Sequence, residues 1–165
     1  MSNLPFYFPD NEVNLRVGKL LILLDILSKS TKKDLVFNLE RIAQFEFLTK
    51  HPILLNKILT EKDKMILKLN NSEKYSIEAM FPNRGQLFDF TKIKILLNIL
   101  ISYGFLDIKI GLDTQVYYII NENGINHANQ LETIYFQRLK KVLSQMKPLL
   151  SMPHSKINQI IQSYL

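Results

Sequence analysis

Residues 102–132 read SYGFLDIKIGLDTQVYYIINENGINHANQLE, and the fold turns on how they are parsed. Gly104 follows a dense Ile/Leu run and stands where a left-handed residue stops a helix. In Phe105–Ile110, Leu106, Ile108 and Ile110 alternate with Asp107 and Lys109, the period of a half-buried strand. Gln115–Ile120 supplies a second strand, and Gly111-Leu112-Asp113-Thr114 is the turn between them. Asn121 suits the cap of a following helix. A short hairpin set between two helices is the wing of a winged helix-turn-helix. The expected class is therefore mainly α with a small β-hairpin (α+β), a winged helix-turn-helix with additional N- and C-terminal helices. Such a fold sits on nucleic acid or serves as a docking module.

Upstream of the hairpin, Phe90–Tyr103 is a helix rich in Ile and Leu. Before it, Tyr75–Asp89 reads as irregular, broken by Pro82 and Gly85 in FPNRGQLFD. Glu12–Ser28 and Leu35–Thr49 are helices whose apolar residues spread well beyond one face. His51-Pro52 ends the second, and Pro52 suits the first turn of a helix over Pro52–Leu59. Residues 61–70 are a short helix or strand, and 1–11 an extended arm with three aromatic residues in Pro5–Phe8. Downstream, Asn121–Leu131 opens a closing helix that Ile134–Lys147 continues, and Ser155–Leu165 is a last short helix. The chain divides into an N-terminal helical part (1–70), a winged-helix part (71–132, hairpin 105–120) and basic C-terminal helices (133–165), read together as one unit.

With 165 residues, 47 of them Leu or Ile, the chain can bury a real core. The absence of Cys excludes a disulfide framework, a thiol nucleophile and Cys-ligated zinc. No signal peptide is evident and the apolar runs are too short for a bilayer, so a soluble cytoplasmic protein with no membrane association is expected. The charge is uneven. Residues 1–132 carry 16 Lys/Arg against 15 Asp/Glu, whereas 133–165 carry five Lys/Arg and no acid. A one-signed segment invites phosphate or an acidic protein surface, although a solvated helix face in a Lys-rich protein looks the same.

A DNA-reading winged helix presents Arg, Lys, Asn, Gln or Ser from the helix before its hairpin. Here that helix is TKIKILLNILISYG (91–104), mostly apolar, and the hairpin is near neutral, with Asp107 against Lys109 and Leu112-Asp113 at its tip. Arg138, Lys140, Lys141 and Lys147, with Lys109 from the wing, are the candidate contacts to nucleic acid or an acidic partner. Leu23, Ile26, Phe45 and Leu48 lie beyond the main apolar faces of their helices and are candidates for a protein interface. No catalytic set is visible. The five glycines form no phosphate-binding cluster, and His51, His127 and His154 have no neighbour at metal-ligand spacing. No enzyme activity, cofactor or metal is expected.

Several segments together resemble one family. VNLRVGKLLILLDIL (13–27) is similar to the opening of the middle components of bacterial ABC-three-component systems, and LVFNLERIAQFEFLTKHPILLNKIL (35–59) to their next signature. FPNRGQLFD (81–89), the hairpin and the closing SMPHSKINQIIQSYL (151–165) follow the family's layout. The family's aromatic GPWD-like loop is replaced here by NRGQLFD. The resemblance implies a winged-helix accessory subunit beside an SMC/Rad50-like ATPase. As in the small subunit of Lamassu-type anti-phage systems, it would bridge that ATPase to an effector nuclease and to double-stranded DNA. The alternative is a winged-helix transcriptional regulator acting as a dimer.

Overall fold

In the computed structural model, residues 12–29, 35–61 and 68–165 are described, the side chains of residues 61, 77 and 78 excepted. The expected N-terminal arm and most of the segment at 61–70 lie outside them. The elements are α1 (Val13–Ser28), α2 (Leu39–Lys50), α3 (Pro52–Glu61), α4 (Asn71–Tyr75), α5 (Ile77–Met80), α6 (Phe90–Ser102), β1 (Leu106–Ile110), β2 (Val116–Ile120), α7 (Glu122–Gln130), α8 (Ile134–Met146) and α9 (His154–Tyr164). Short 3₁₀ turns at Arg84–Phe88 and Lys147–Ser151 precede α6 and α9. The chain is thus mainly helical with one two-stranded antiparallel hairpin.

α1 is the centre of the packing. It is apolar all round because it is covered all round: α6, α7, α8 and β2 all lie against it, and Leu20, Leu21, Ile22, Leu23, Leu24 and Leu27 are buried. Gly18 lets α8 come close, since a Cβ there would sit 3.1 Å from Cζ of Phe136. One apolar core runs from Leu20 on α1 to Ile161 on α9.

The hairpin forms as its alternation requires. Leu106 pairs with Ile120, Ile108 with Tyr118, and Ile110 with Val116. α6 ends in the way its glycine demands. Gly104 has φ of +74°. Its N–H donates to Ile101 O (2.9 Å) and that of Phe105 to Leu100 O (3.0 Å), the paired bonds of a Schellman motif.

Three boundaries differ from the sequence reading, each for a local reason. α2 starts at Leu39 rather than Leu35, because 35–38 runs along the outer edge of β2. Tyr118 N–H donates to Phe37 O (2.9 Å), Asn38 bridges Tyr117, and the Asn38 amide bonds the Gln115 carbonyl. Asn38 then caps α2 by accepting from Arg41 N–H at 2.9 Å. The closing helix is two helices, since Thr133 Oγ1 accepts from Phe136 N–H and starts α8 afresh. The irregular 75–89 segment holds one short helix and a 3₁₀ turn, the latter capped by Asn83.

Candidate interaction surfaces

The five candidate cations divide into one that is consumed and four that are not. Arg138 on α8 makes a two-pronged pair with Glu73 of α4, Nε to Oε1 and NH2 to Oε2, both at 2.7 Å, and NH2 also reaches Lys68 O at 2.6 Å. Glu73 is held from the other side. Its carboxylate accepts from Asn70 N–H while Asn70 Oδ1 accepts from Glu73 N–H, a capping box at the start of α4. The Arg138 hydrogen bond holds the Glu73 carboxyl below its ordinary range, with Asn70 N–H adding to it and burial opposing, and Arg138 is raised in turn. Arg138 therefore anchors α8 to the 68–73 segment instead of facing a partner. Lys141, Lys147 and Lys109 are exposed and Lys140 half-buried, and none makes an ion pair among the described residues. Lys156 on α9 is exposed as well.

The apolar candidates lie elsewhere than expected. Leu23, Phe45 and Leu48 are fully buried in the core, and Ile26 is half-buried against it. Neighbours within the same chain cover both sides of their helices, so Leu23, Phe45 and Leu48 offer no free surface, and Ile26 keeps part of its own. Phe45 packs edge-to-face on Phe37, with the Arg41 guanidinium over its ring.

The apolar groups that do reach solvent lie on 75–88 and on the hairpin. Tyr75, Met80, Phe81 and Phe88 are exposed, Phe81 at 72% of its surface. Tyr75, Met80 and Phe88 stand on helical pieces of one turn or so, too short to fold an apolar face inward, and Phe81 on the bend that follows α5. The sequence signal was present in KYSIEAMFPNRGQLFDF (74–90), a Met- and Phe-rich run without a sustained period. On the hairpin, Ile108, Ile110, Leu112 and Val116 are exposed while Leu106 and Ile120 at its base are buried. The tip is braced by Asp113, whose carboxylate accepts from Tyr117 OH (2.7 Å) and Gln115 N–H (3.2 Å). α6 buries Ile93, Leu96, Leu97 and Leu100 and turns Thr91, Lys94, Ile95 and Asn98 outward, so its outer side is less apolar than its sequence suggests. Lys92 is taken up by Asp89 at 3.0 Å.

An apolar groove of about 520 Å³ opens beside α1, lined by Val17, Gly18, Leu21, Leu131 and Phe136. One wall is a stack of Tyr103, Phe105 and His127, with ring centroids 5.7 and 4.7 Å apart. No cluster of His, Asp or Glu with metal-ligand geometry occurs among the described residues, and no helix of theirs is long and apolar enough to cross a membrane.

The chain is mainly helical, with one hairpin, exposed apolar residues at 75–88 and on the hairpin, and exposed lysines on α8 and α9. The family model for the ABC-three component (ABC-3C) system Middle Component 4 matches residues 27–159, and the chain belongs to that family. It is an accessory component of a multi-component, defence-type system, which implies protein partners. No curated protein and no solved structure matches it.

Proposed function

We propose that this chain is a non-enzymatic, cytoplasmic winged-helix subunit of an anti-phage complex of the Lamassu kind. It docks on an SMC/Rad50-like ATPase and links it to an effector nuclease. The observation that carries the docking role is the exposure of four large apolar residues, Tyr75, Met80, Phe81 and Phe88, along one segment, called the ridge below. Four large apolar groups in water on one short stretch are a cost that a partner's cover removes, each worth about 1.5–3 kcal/mol when fully buried.

The winged-helix reading is supported by element order and by the edge on which the extra strand lies. α1, the extended 35–38 segment, α2, then α6, β1 and β2 follow one another, and 37–38 adds to β2 rather than to β1. Phosphates or an acidic coiled coil meet Lys140, Lys141, Lys147 and Lys156, the cations that the fold leaves unspent. The near-neutral wing and the mixed outer side of α6 disfavour base reading by this chain alone.

The test is the gene neighbourhood, where an SMC/Rad50-like ATPase is expected, and co-purification with the product of that gene. A Phe81→Glu/Phe88→Glu variant should fold as the parent does and lose the ATPase. A Lys140→Glu/Lys141→Glu/Lys147→Glu variant should keep the ATPase and weaken binding of the assembled complex to double-stranded DNA, most visibly at low salt. Retention of the ATPase by the Phe81/Phe88 variant would remove the ridge as its dock. A salt-dependent, sequence-selective shift by the isolated chain would favour a dimeric regulator instead.

A further inference from the structure

The two edges of the hairpin are unlike, and the difference follows from the ladder. Gly111 N–H donates to Gln115 O and Asn121 N–H to Phe105 O, at 2.9 and 3.1 Å. In an antiparallel ladder this alternation makes residues 105, 107, 109 and 111 face β2 with their backbone groups. The N–H and C=O of Leu106, Ile108 and Ile110 therefore point away from it. On β2 the same alternation turns Tyr118 N–H outward, and Phe37 O takes it. The β2 edge is covered. On the β1 edge the outward groups of Leu106, Ile108 and Ile110 have no partner among the described residues.

A bare edge is ordinarily guarded by Pro, a bulge or an inward charge. β1 has a regular register and no Pro. Its outer apolar side chains are exposed, Ile108 at 50% and Ile110 at 74%, while Leu106 at its base is buried. Its charges, instead of guarding the edge, are arranged to match their own copy. Set Leu106-Asp107-Ile108-Lys109-Ile110 antiparallel to itself about Ile108. Asp107 then lies opposite Lys109 of the other copy, Lys109 opposite Asp107, and Ile110 opposite Leu106. Ile108 meets Ile108 as a hydrogen-bonded pair, because 108 is one of the outward-facing residues. The central Ile108 pair supplies two ladder hydrogen bonds, and the Ile110 end of each strand runs toward the buried base of the other at Leu106. A slip of two residues sets Asp107 on Asp107 or Lys109 on Lys109, and a slip of one turns the apolar side chains to the other face. One register alone satisfies backbone, charge and apolar face together.

We propose that two copies of this chain associate through β1, making a four-stranded sheet across a two-fold axis. The interaction goes beyond the docking role above and uses neither the ridge nor the α8 lysines. A strand of this length buries less than a standard interface does, so the dimer is weak.

Sedimentation velocity of the isolated chain from a few µM to a few hundred µM tests it. The parent should pass from monomer to dimer across that range. Lys109→Asp should remain monomeric, since it sets Asp against Asp. Asp107→Lys should do the same with Lys against Lys. Asp107→Lys/Lys109→Asp should dimerise again, because both cross-strand pairs are restored in reversed order. Ile108→Pro removes an outward donor without removing one that serves β2, and should abolish dimerisation with the circular dichroism of the parent. A parent that stays monomeric at the highest concentration, a dimer indifferent to Lys109→Asp, or a double variant that stays monomeric would each overturn the proposal. So would a monomeric parent whose β1 variants lose another subunit of the system, since a foreign strand would then hold the edge.

Discussion

Arg41 and Arg138 solve the problem of a buried or half-buried cation in opposite ways. Arg138 is met by a carboxylate at the protein surface. Arg41, buried on α2, has no carboxylate partner among the described residues. Its NH2 donates to the carbonyls of Leu149, Leu150 and Met152 at 3.1, 3.1 and 2.8 Å, and NH1 donates to Gln44 Oε1 at 3.1 Å. Gln44, also buried, passes the connection on to His154 O and Asn158 Oδ1. Burial lowers the Arg41 pKa to about 10, so it stays charged at neutral pH at a cost that the carbonyl fork offsets. One arginine thus pins the turn before α9 onto α2, while the other pins α8 onto the capping box of α4. The lesson is that a positive charge in this chain says little about ligands until its intramolecular partners are known.

The largest expected effect breaks the Arg41 side. Arg41→Met should destabilise the chain by about 3 kcal/mol, because it leaves several buried carbonyls and Gln44 without a donor. Arg41→Lys should recover only part of the loss, since an ammonium cannot reproduce the planar fork. Urea denaturation checks both. Near-parental stability in Arg41→Met would mean that the fork does not hold α9.

Breaking the Arg138 side should cost less. The pair is partly exposed, with 31% and 17% of the two side chains accessible, so solvent screens it. Arg138→Met should cost about 1 kcal/mol, and the Arg138→Met/Glu73→Gln double-mutant cycle should show a coupling of similar size. This region also responds to acid. Folding depresses the Glu73 pKa, so its contribution is present above the ordinary Glu range and is lost as pH falls through the folded value. The stability difference between the parent and Glu73→Gln should therefore shrink below about pH 4.5.

These contrasts explain what could be read in the sequence and what could not. The hairpin, the Gly104 stop and the turn from His51 into Pro52 were legible because each is fixed by a few adjacent residues. The fates of Leu23, Phe45 and Leu48 were not. A wide apolar face looks the same whether α6 and α8 or another protein will cover it, and only tertiary packing decides. Arg138 passed for a free cation because Glu73 lies 65 residues away. Arg41 drew no notice because its acceptors are backbone carbonyls more than a hundred residues distant, which carry no signature in side-chain type. Asn38 looked like part of a helix because its alternative, an edge on β2, comes from a strand far along the chain. The lysines were read better. Lys140, Lys141 and Lys147 remain outside ion pairs, so reversing their charge should leave the urea midpoint unchanged within error while Arg138→Met lowers it.

The smallest expected effect is a second acid response, placed in the Arg41 region and at higher pH. His154 starts α9, and its Nε2 accepts from Asn158 Nδ2 at 2.9 Å, while Asn158 Oδ1 accepts from Gln44. Burial lowers the His154 pKa and the Arg41 charge lowers it further, against the opposing pull of Glu40, whose carboxylate lies 4.0 Å from Nδ1. Folding thus favours the neutral ring. The unfolded chain takes up its proton first as pH falls, so stability is lost below the unfolded value of about 6.5 and is restored as pH rises. Protonation would also turn Nε2 from acceptor to donor, facing the amide of Asn158 and loosening the path to Gln44. The parent should lose a degree or two of melting temperature between pH 7.5 and 5.5, and His154→Gln should lose less. An equal slope in both proteins would remove His154 as the source of this response, and would leave the Arg41 region insensitive to pH where the Arg138 region is not.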